Sequence, residues 1–379
     1  MHASCHNTYI KKTYLGPLFF LSLLLQSLSK PKFPYSYSYS SLSFIQPIME
    51  VTLPISTAHV PPRFLKSAML TGSTPLKALH SDPRVSYGLY VPPGHYNPDP
   101  NRIPSTEGEG SHSSYKLPRI PLVISIHGTG RDAESCRRRL ISLAEKERFA
   151  ILAPLFPTGL DNEWDLDSYK LLRSKTLRSD SALLDIVTEV AVRYPGIDTE
   201  KFFLIGYSGG GQFVHRFLYI HPERVFAASV GAPGRVTHLD KTLKWPQGVA
   251  DVGEIFEKEL SKTDGKVSLE LLRKIRAVQM VVGGDDVEVP QNELIEWAAK
   301  MKDKMSRGDD VSGSLEPMRT SRVDTLKTLH GEWDPLGILS TFEVVEGVKH
   351  DSGGIHPTVE KFLNPLLKEW WSDRKDCDD

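Results

Sequence analysis

Short apolar runs recur along the chain, each closed by a polar or glycine-rich turn and followed by apolar residues at helical spacing. Residues 121–126, 149–153, 202–205, 225–230 and 277–282 are nearly unbroken apolar segments, which predicts strands buried on both faces of a sheet. Residues 341–345 alternate apolar and polar positions and predict a last strand, and residues 84–91 predict an early one. Between these runs, residues 131–148 and 181–193 predict helices. In the second, Leu183, Leu184, Val187 and Val190 face inward, and Asp185, Glu189 and Arg193 form the outer stripe. Phe213, Val214, Phe217 and Leu218 mark another helix, and an amphipathic helix runs to about Trp371. Such alternation predicts the α/β class: a mostly parallel sheet with helices on both faces and ligands at the carboxyl ends of its strands.

Two segments exceed what this core requires. Residues 235–275 carry Trp245-Pro246 and charged helical stretches, and residues 291–340 precede the last strand. Both are expected to leave the sheet at its carboxyl edge and form a partial cap. Trp164, Tyr169, Trp245, Trp297 and Trp333 are the aromatic candidates to line a pocket there, with Trp245 the chosen substrate contact. Residues 97–115, rich in Pro, Gly and Ser, predict an exposed loop.

Composition narrows the class. With 379 residues and 40% hydrophobic content the chain can bury one large core, so a single domain over residues 61–379 is expected after a leader or disordered extension at residues 1–60. The 46 basic and 47 acidic residues give a net charge of −1, and no basic stripe points to nucleic acid. The Arg137-Arg138-Arg139 run is read as a solvated helix face. Cys5, Cys136 and Cys377 are sparse and odd in number, which implies no disulfide framework, and no metal-ligand spacing or nucleotide-binding glycine motif occurs; no cofactor is expected. Near the amino terminus, Lys11 and Lys12 precede the apolar run 15–25, which is shaped like a secretory leader and too short for a membrane span. Secretion through cleavage of residues 1–29 is one expectation. The other, a cytoplasmic protein starting near Met49, is favoured by the Tyr-Ser repeat at 35–41 and by the absence of any Asn-x-Ser/Thr acceptor.

The chemistry centres on Gly206-Tyr207-Ser208-Gly209-Gly210, which follows a buried strand run and opens a helix. A strand-to-helix turn that sharp has no room for side chains two residues before and after the serine, and it exposes the hydroxyl as a nucleophile. A serine hydroxyl needs a base to accept its proton and a carboxylate to orient that base. Asp285 and Asp286 both stand in the loop after the 277–282 run, and His350 stands in the loop after the last strand. His356 is the runner-up. His215 lies inside the helix after the serine, His221 at a helix edge, and His127 in the turn His127-Gly128-Thr129-Gly130-Arg131 that ends the 121–126 strand.

These four elements in this order resemble an α/β-hydrolase over residues 84–372. The resemblance implies Asp286 as the acid and His350 as the base for Ser208. It also implies Gly209 and Thr129 as backbone donors to the oxyanion, with His127 structural, and ester cleavage through an acyl-enzyme on a small-molecule ester. Within that superfamily, the 127–130 turn and the segment Arg193-Tyr194-Pro195-Gly196-Ile197-Asp198 resemble the feruloyl-esterase and polyhydroxybutyrate-depolymerase-like branch. That branch carries alanine after the serine, where this chain has Gly209. A looser resemblance, to hydrolases encoded beside fungal polyketide synthases, implies acyl transfer or product release as an alternative to hydrolysis.

Overall fold

The computed structural model describes residues 55–102, 113–163, 165–287 and 320–375. Its nine strands form one sheet: β1 (Gly72–Ser73), β2 (Lys77–Ala78), β3 (Ser86–Val91), β4 (Ile120–Ile126), β5 (Ala150–Leu155), β6 (Ile197–Tyr207), β7 (Val225–Gly231), β8 (Ala277–Gly283) and β9 (Ser340–Val345). The order is β1-β3-β5-β4-β6-β7-β8-β9, with β2 also paired to β3. From β5 through β9 all pairs are parallel, whereas β3 runs antiparallel to β5. The chain passes from β4 to one neighbour, β5, and then crosses back to the other, β6. That reversal opens a crevice at the carboxyl ends of β4 and β6, where open α/β sheets bind ligands.

Among the described residues, six helices of seven residues or more cover the sheet: α1 (Ala133–Arg139), α2 (Ile141–Glu147), α3 (Ser179–Arg193), α4 (Gly209–Ile220), α5 (Arg322–Trp333) and α6 (Ser352–Lys375). The strands are apolar because both faces are covered: every residue of β4 is buried, and so is every residue of β8 after Ala277. The inward stripe foreseen for α3 holds for Leu183, Val187 and Val190, which are fully buried, whereas Leu184 is only partly covered.

Several expectations change. The single helix foreseen over 131–148 is two, α1 and α2, meeting at Leu140; Asp132 Oδ1 caps α1 by accepting from the Ser135 amide at 2.9 Å. Arg137 is not part of a solvated face. It is buried, and its Nη1 donates to the carbonyls of Thr74 at 2.5 Å and Leu89 at 2.9 Å, tying α1 to the edge of the sheet. The boundary at residue 60 falls inside the packed body, because Thr57 is buried, shares a 2.6 Å hydrogen bond with the Tyr96 hydroxyl and donates to the Pro98 carbonyl. The later half of the 291–340 segment is not cap. It holds α5, whose Leu326, Leu329 and Trp333 are fully buried, and α5 is the crossover that two parallel neighbours, β8 and β9, require. The earlier half, with Trp297, and Trp164 lie outside the described residues.

Candidate active site

Ser208 terminates β6 and caps α4 with φ +56° and ψ −116°, a conformation that L-residues rarely adopt. The flanking glycines permit it. A Cβ on Gly206 would stand 2.5 Å from the Gly210 carbonyl carbon, and one on Gly210 would stand 2.3 Å from the Ile126 carbonyl oxygen. The Ser208 amide donates to the Gly231 carbonyl at 2.8 Å, so β7 holds the bend from beneath. The hydroxyl therefore sits at the amino end of α4, where the helix dipole favours developing negative charge.

The loops after β8 and β9 bring the other groups in. His350 Nδ1 lies 2.6 Å from Asp286 Oδ2, and Asp286 is buried. Asp285 points to solvent instead. Asp286 Oδ1 accepts from Arg322 Nη1 at 2.7 Å, at the start of α5. Burial alone would raise the Asp286 pKa, but the hydrogen bond and charge of His350, followed by those of Arg322, hold the carboxyl below its ordinary value. The Tyr207 ring lies against the His350 ring at 5.0 Å, with its hydroxyl 3.3 Å from Nδ1. Burial, then the Asp286 charge, pushes the Tyr207 phenol up, so it keeps its proton. His356, the runner-up, lies on α6, where Nε2 is 3.0 Å from the Arg139 carbonyl. Among the described hydrogen bonds none joins Ser208 Oγ to His350; apo sites often make that bond only with substrate in place.

The turn after β4 supplies the opposite wall. His127 is buried, with Nδ1 2.8 Å from the Gly128 carbonyl and Nε2 accepting from the Phe156 amide at 3.1 Å. Burial lowers its pKa to about 4, so it is neutral at pH 7 and both ring nitrogens are occupied in holding the turn. Arg131 Nη1 donates to the Thr129 carbonyl at 2.7 Å. The Thr129 amide nitrogen lies 3.0 Å from where a Gly209 Cβ would be, so the turn after β4 packs directly against the start of α4.

The missing side chain at position 209 has a structural cause. A Gly209 Cβ would stand 2.5 Å from the Tyr169 hydroxyl and 2.8 Å from Lys170 Cε. Both residues are buried: Tyr169 donates to the His127 carbonyl at 3.0 Å, and Lys170 pairs with Asp167. The 168–171 turn thus fills the space that an alanine methyl would take. Trp245 braces this turn from outside. Its Nε1 donates to the Leu171 carbonyl at 3.0 Å, and its ring meets the Phe256 edge at 5.0 Å. Tyr169 is brought to the site, whereas Trp333 is buried in the core, donating to the Tyr219 hydroxyl at 3.1 Å. Two contributors were not singled out in the sequence: Arg322, 36 residues from its carboxylate, and Lys170.

No protein-family model and no curated protein matches the chain. Among solved structures it is similar to LpqC, the poly(3-hydroxybutyrate) depolymerase from Bordetella parapertussis, at 18% identity and a TM-score of 0.54 over 82% of this chain and 95% of that one. It is also similar to poly(aspartic acid) hydrolase-1 from Sphingomonas sp. KT-1 (19%, 0.49, 73% and 92%). A ferulic acid esterase is a third match (13%, 0.46, 78% and 99%). The fold is that of the α/β-hydrolases. In this α/β-hydrolase scaffold, the loops after β4, β6, β8 and β9 carry Thr129, Ser208, Asp286 and His350 to one edge of the sheet. Among the described residues no cluster of acidic, histidine or cysteine side chains is arranged to hold a metal, and no helix is long and apolar enough to cross a membrane.

Proposed function

We propose that this protein is a serine hydrolase that cleaves a small-molecule carboxylic ester through an acyl-enzyme. The observation that carries the reading is the hydrogen bond, 2.6 Å long, between His350 and the buried Asp286 carboxylate, at the same sheet edge as Ser208 in its strained bend. Ser208 Oγ attacks the ester carbonyl while His350 Nε2 takes its proton. Asp286 stabilises the resulting imidazolium, and the amides of Gly209 and Thr129 donate to the oxyanion. The C–O bond to the alkoxy group breaks as His350 returns the proton to that oxygen. Water then repeats the sequence on the acyl-enzyme and frees Ser208. No cofactor enters any step.

Fluorophosphonate labelling followed by turnover of activated acetate tests the assignment. Ser208→Ala is expected to lose both the label and turnover while its circular dichroism and unfolding midpoint stay close to wild type, because the hydroxyl contributes chemistry and little packing. Labelling that persists in Ser208→Ala refutes the nucleophile.

A further inference from the structure

Between α1 and α6, against the carboxyl ends of β4, β6 and β7, lies a cavity of about 240 Å3. Ile126, Leu140, Ile205, Ile355 and Val359 give it an apolar interior. It adjoins the candidate nucleophile. Gly128 lines it, and a Cβ on Gly128 would stand 3.8 Å from Ser208 Cβ; Tyr207, whose ring lies against His350, lines it too. Ser352, two residues beyond His350, forms another part of its rim. The cavity lies on the α1 and α6 face of the sheet; a separate one, lined by Leu239, Val249, Val267 and Leu269, lies in the 235–275 segment.

The two arms of an ester leave the carbonyl in different directions, and His350 must reach the alkoxy oxygen to return its proton. The alcohol arm therefore departs on the side of His350, and this cavity borders that side. We propose that the cavity receives the alcohol portion of the ester, and that this portion is an apolar chain or a single ring. The proposal rests on Ser208 and His350 acting as described above. Three polar groups on the wall are already engaged: Ser229 Oγ donates to Gln279 at 2.7 Å, Ser352 Oγ accepts from Arg139 at 2.6 Å, and His356 Nε2 is 3.0 Å from the Arg139 carbonyl. Arg131, Asp132, Ser135 and Cys136 also line the cavity, but the greater part of the exposed wall is apolar, which favours an apolar alcohol over a polar one. At roughly 30 Å3 per water-sized group the space takes a chain of about eight methylenes.

The test is kcat/KM across acetate esters from ethyl to octyl alcohol, in parallel with methyl esters from acetate to octanoate. Wild type is expected to gain about tenfold or more along the alcohol series. Val359→Phe, which fills the cavity, should lower the octyl-to-ethyl ratio about tenfold, and Ile355→Ala, which enlarges it, should move the optimum to longer alcohols. The two variants change volume in opposite directions, so a folding failure in one leaves the other decisive. A flat alcohol series in labelled, active wild type overturns the proposal and leaves the proposed function standing. So does a volume effect confined to the acyl series, which would assign the cavity to the other arm. Absence of labelling and of turnover on every ester sinks the function itself.

Discussion

Restoring the missing methyl at position 209 tests how this site is built. In Gly209→Ala the new Cβ would lie 2.5 Å from the Tyr169 hydroxyl, 2.8 Å from Lys170 Cε and 3.0 Å from the Thr129 amide nitrogen. Ordinary non-bonded contacts between carbon atoms lie near 3.5–4.0 Å, so relief requires a shift of about 1 Å. Tyr169 is buried and anchored to the His127 carbonyl, and it cannot retreat without disturbing the turn after β4. The first turn of α4 must move as well, and it carries the amide proposed to meet the oxyanion. Overpacking of this kind costs about 1–3 kcal/mol of stability. A 1 Å misplacement in a catalytic constellation costs about a hundredfold in rate. The expected result is a kcat about a hundredfold lower on activated acetate, with KM little changed and a lower urea midpoint. Tyr169→Phe in the same chain removes the nearest contact and should recover about tenfold, because Lys170 Cε belongs to a flexible stem. A Gly209→Ala enzyme with kcat within about twofold of wild type and an unchanged midpoint refutes the account.

Two further outcomes follow from buried carboxylates. Asp286→Asn should lower kcat by about four orders of magnitude and Asp285→Asn by less than threefold, since a triad amide holds the wrong tautomer of the base whereas Asp285 faces solvent; the reverse ranking moves the acid to Asp285. Asp180 is buried at the start of α3, where burial would raise its pKa but His221 Nε2 at 2.9 Å and Arg178 hold it below the ordinary value. Its stabilisation is therefore present above the unfolded-state pKa and lost as pH falls through the folded one, so Asp180→Asn should cost about 3 kcal/mol at pH 7 and progressively less below about pH 4. Urea unfolding across pH checks this, and a pH-independent difference contradicts it.

The strands, the nucleophile bend and the acid and histidine loops were legible because their signals are local: unbroken apolar runs, glycines at fixed offsets, and polar turns at strand ends. What escaped was set by distant partners. Arg137 stands in a run of three arginines that reads as solvated, and only the fold brings the Thr74 and Leu89 carbonyls to it. The division between α1 and α2 at Leu140 carries no glycine or proline to announce it. Trp333 was weighed as a pocket residue because chain length between β8 and β9 suggested an insertion; parallel pairing instead demands a crossover helix there, and the tryptophan is its buried face. Gly209 in place of alanine was the one visible anomaly, and it pointed to a neighbour occupying the methyl's space. The sequence does not say that Tyr169 and Lys170 are that neighbour, since they lie about 40 residues upstream.

Arg322 had no local signature at all, yet it reaches the second oxygen of Asp286 at 2.7 Å with 11% of its side chain exposed against 1% for the carboxylate. Truncating one member of so buried a pair leaves the other charge poorly compensated, and Arg322→Met should cost about 3 kcal/mol of stability at neutral pH. The sign of its pH dependence separates this from a general packing loss. Asp286 contributes stability above its unfolded pKa, lost as pH falls through the folded value, and Arg322 is one of the groups that lowers that folded value. Without the guanidinium the folded pKa rises, so acid unfolding should begin at a higher pH in Arg322→Met, and Arg322→Lys, which restores the charge without the planar fork, should recover part of the shift. Because Asp286 is also the partner of His350, kcat should fall about tenfold with KM unchanged, as for a group that orients the base without touching substrate. An acid midpoint that does not move, or a loss confined to KM, would show that Arg322 serves the packing of α5 and not the carboxylate beside His350.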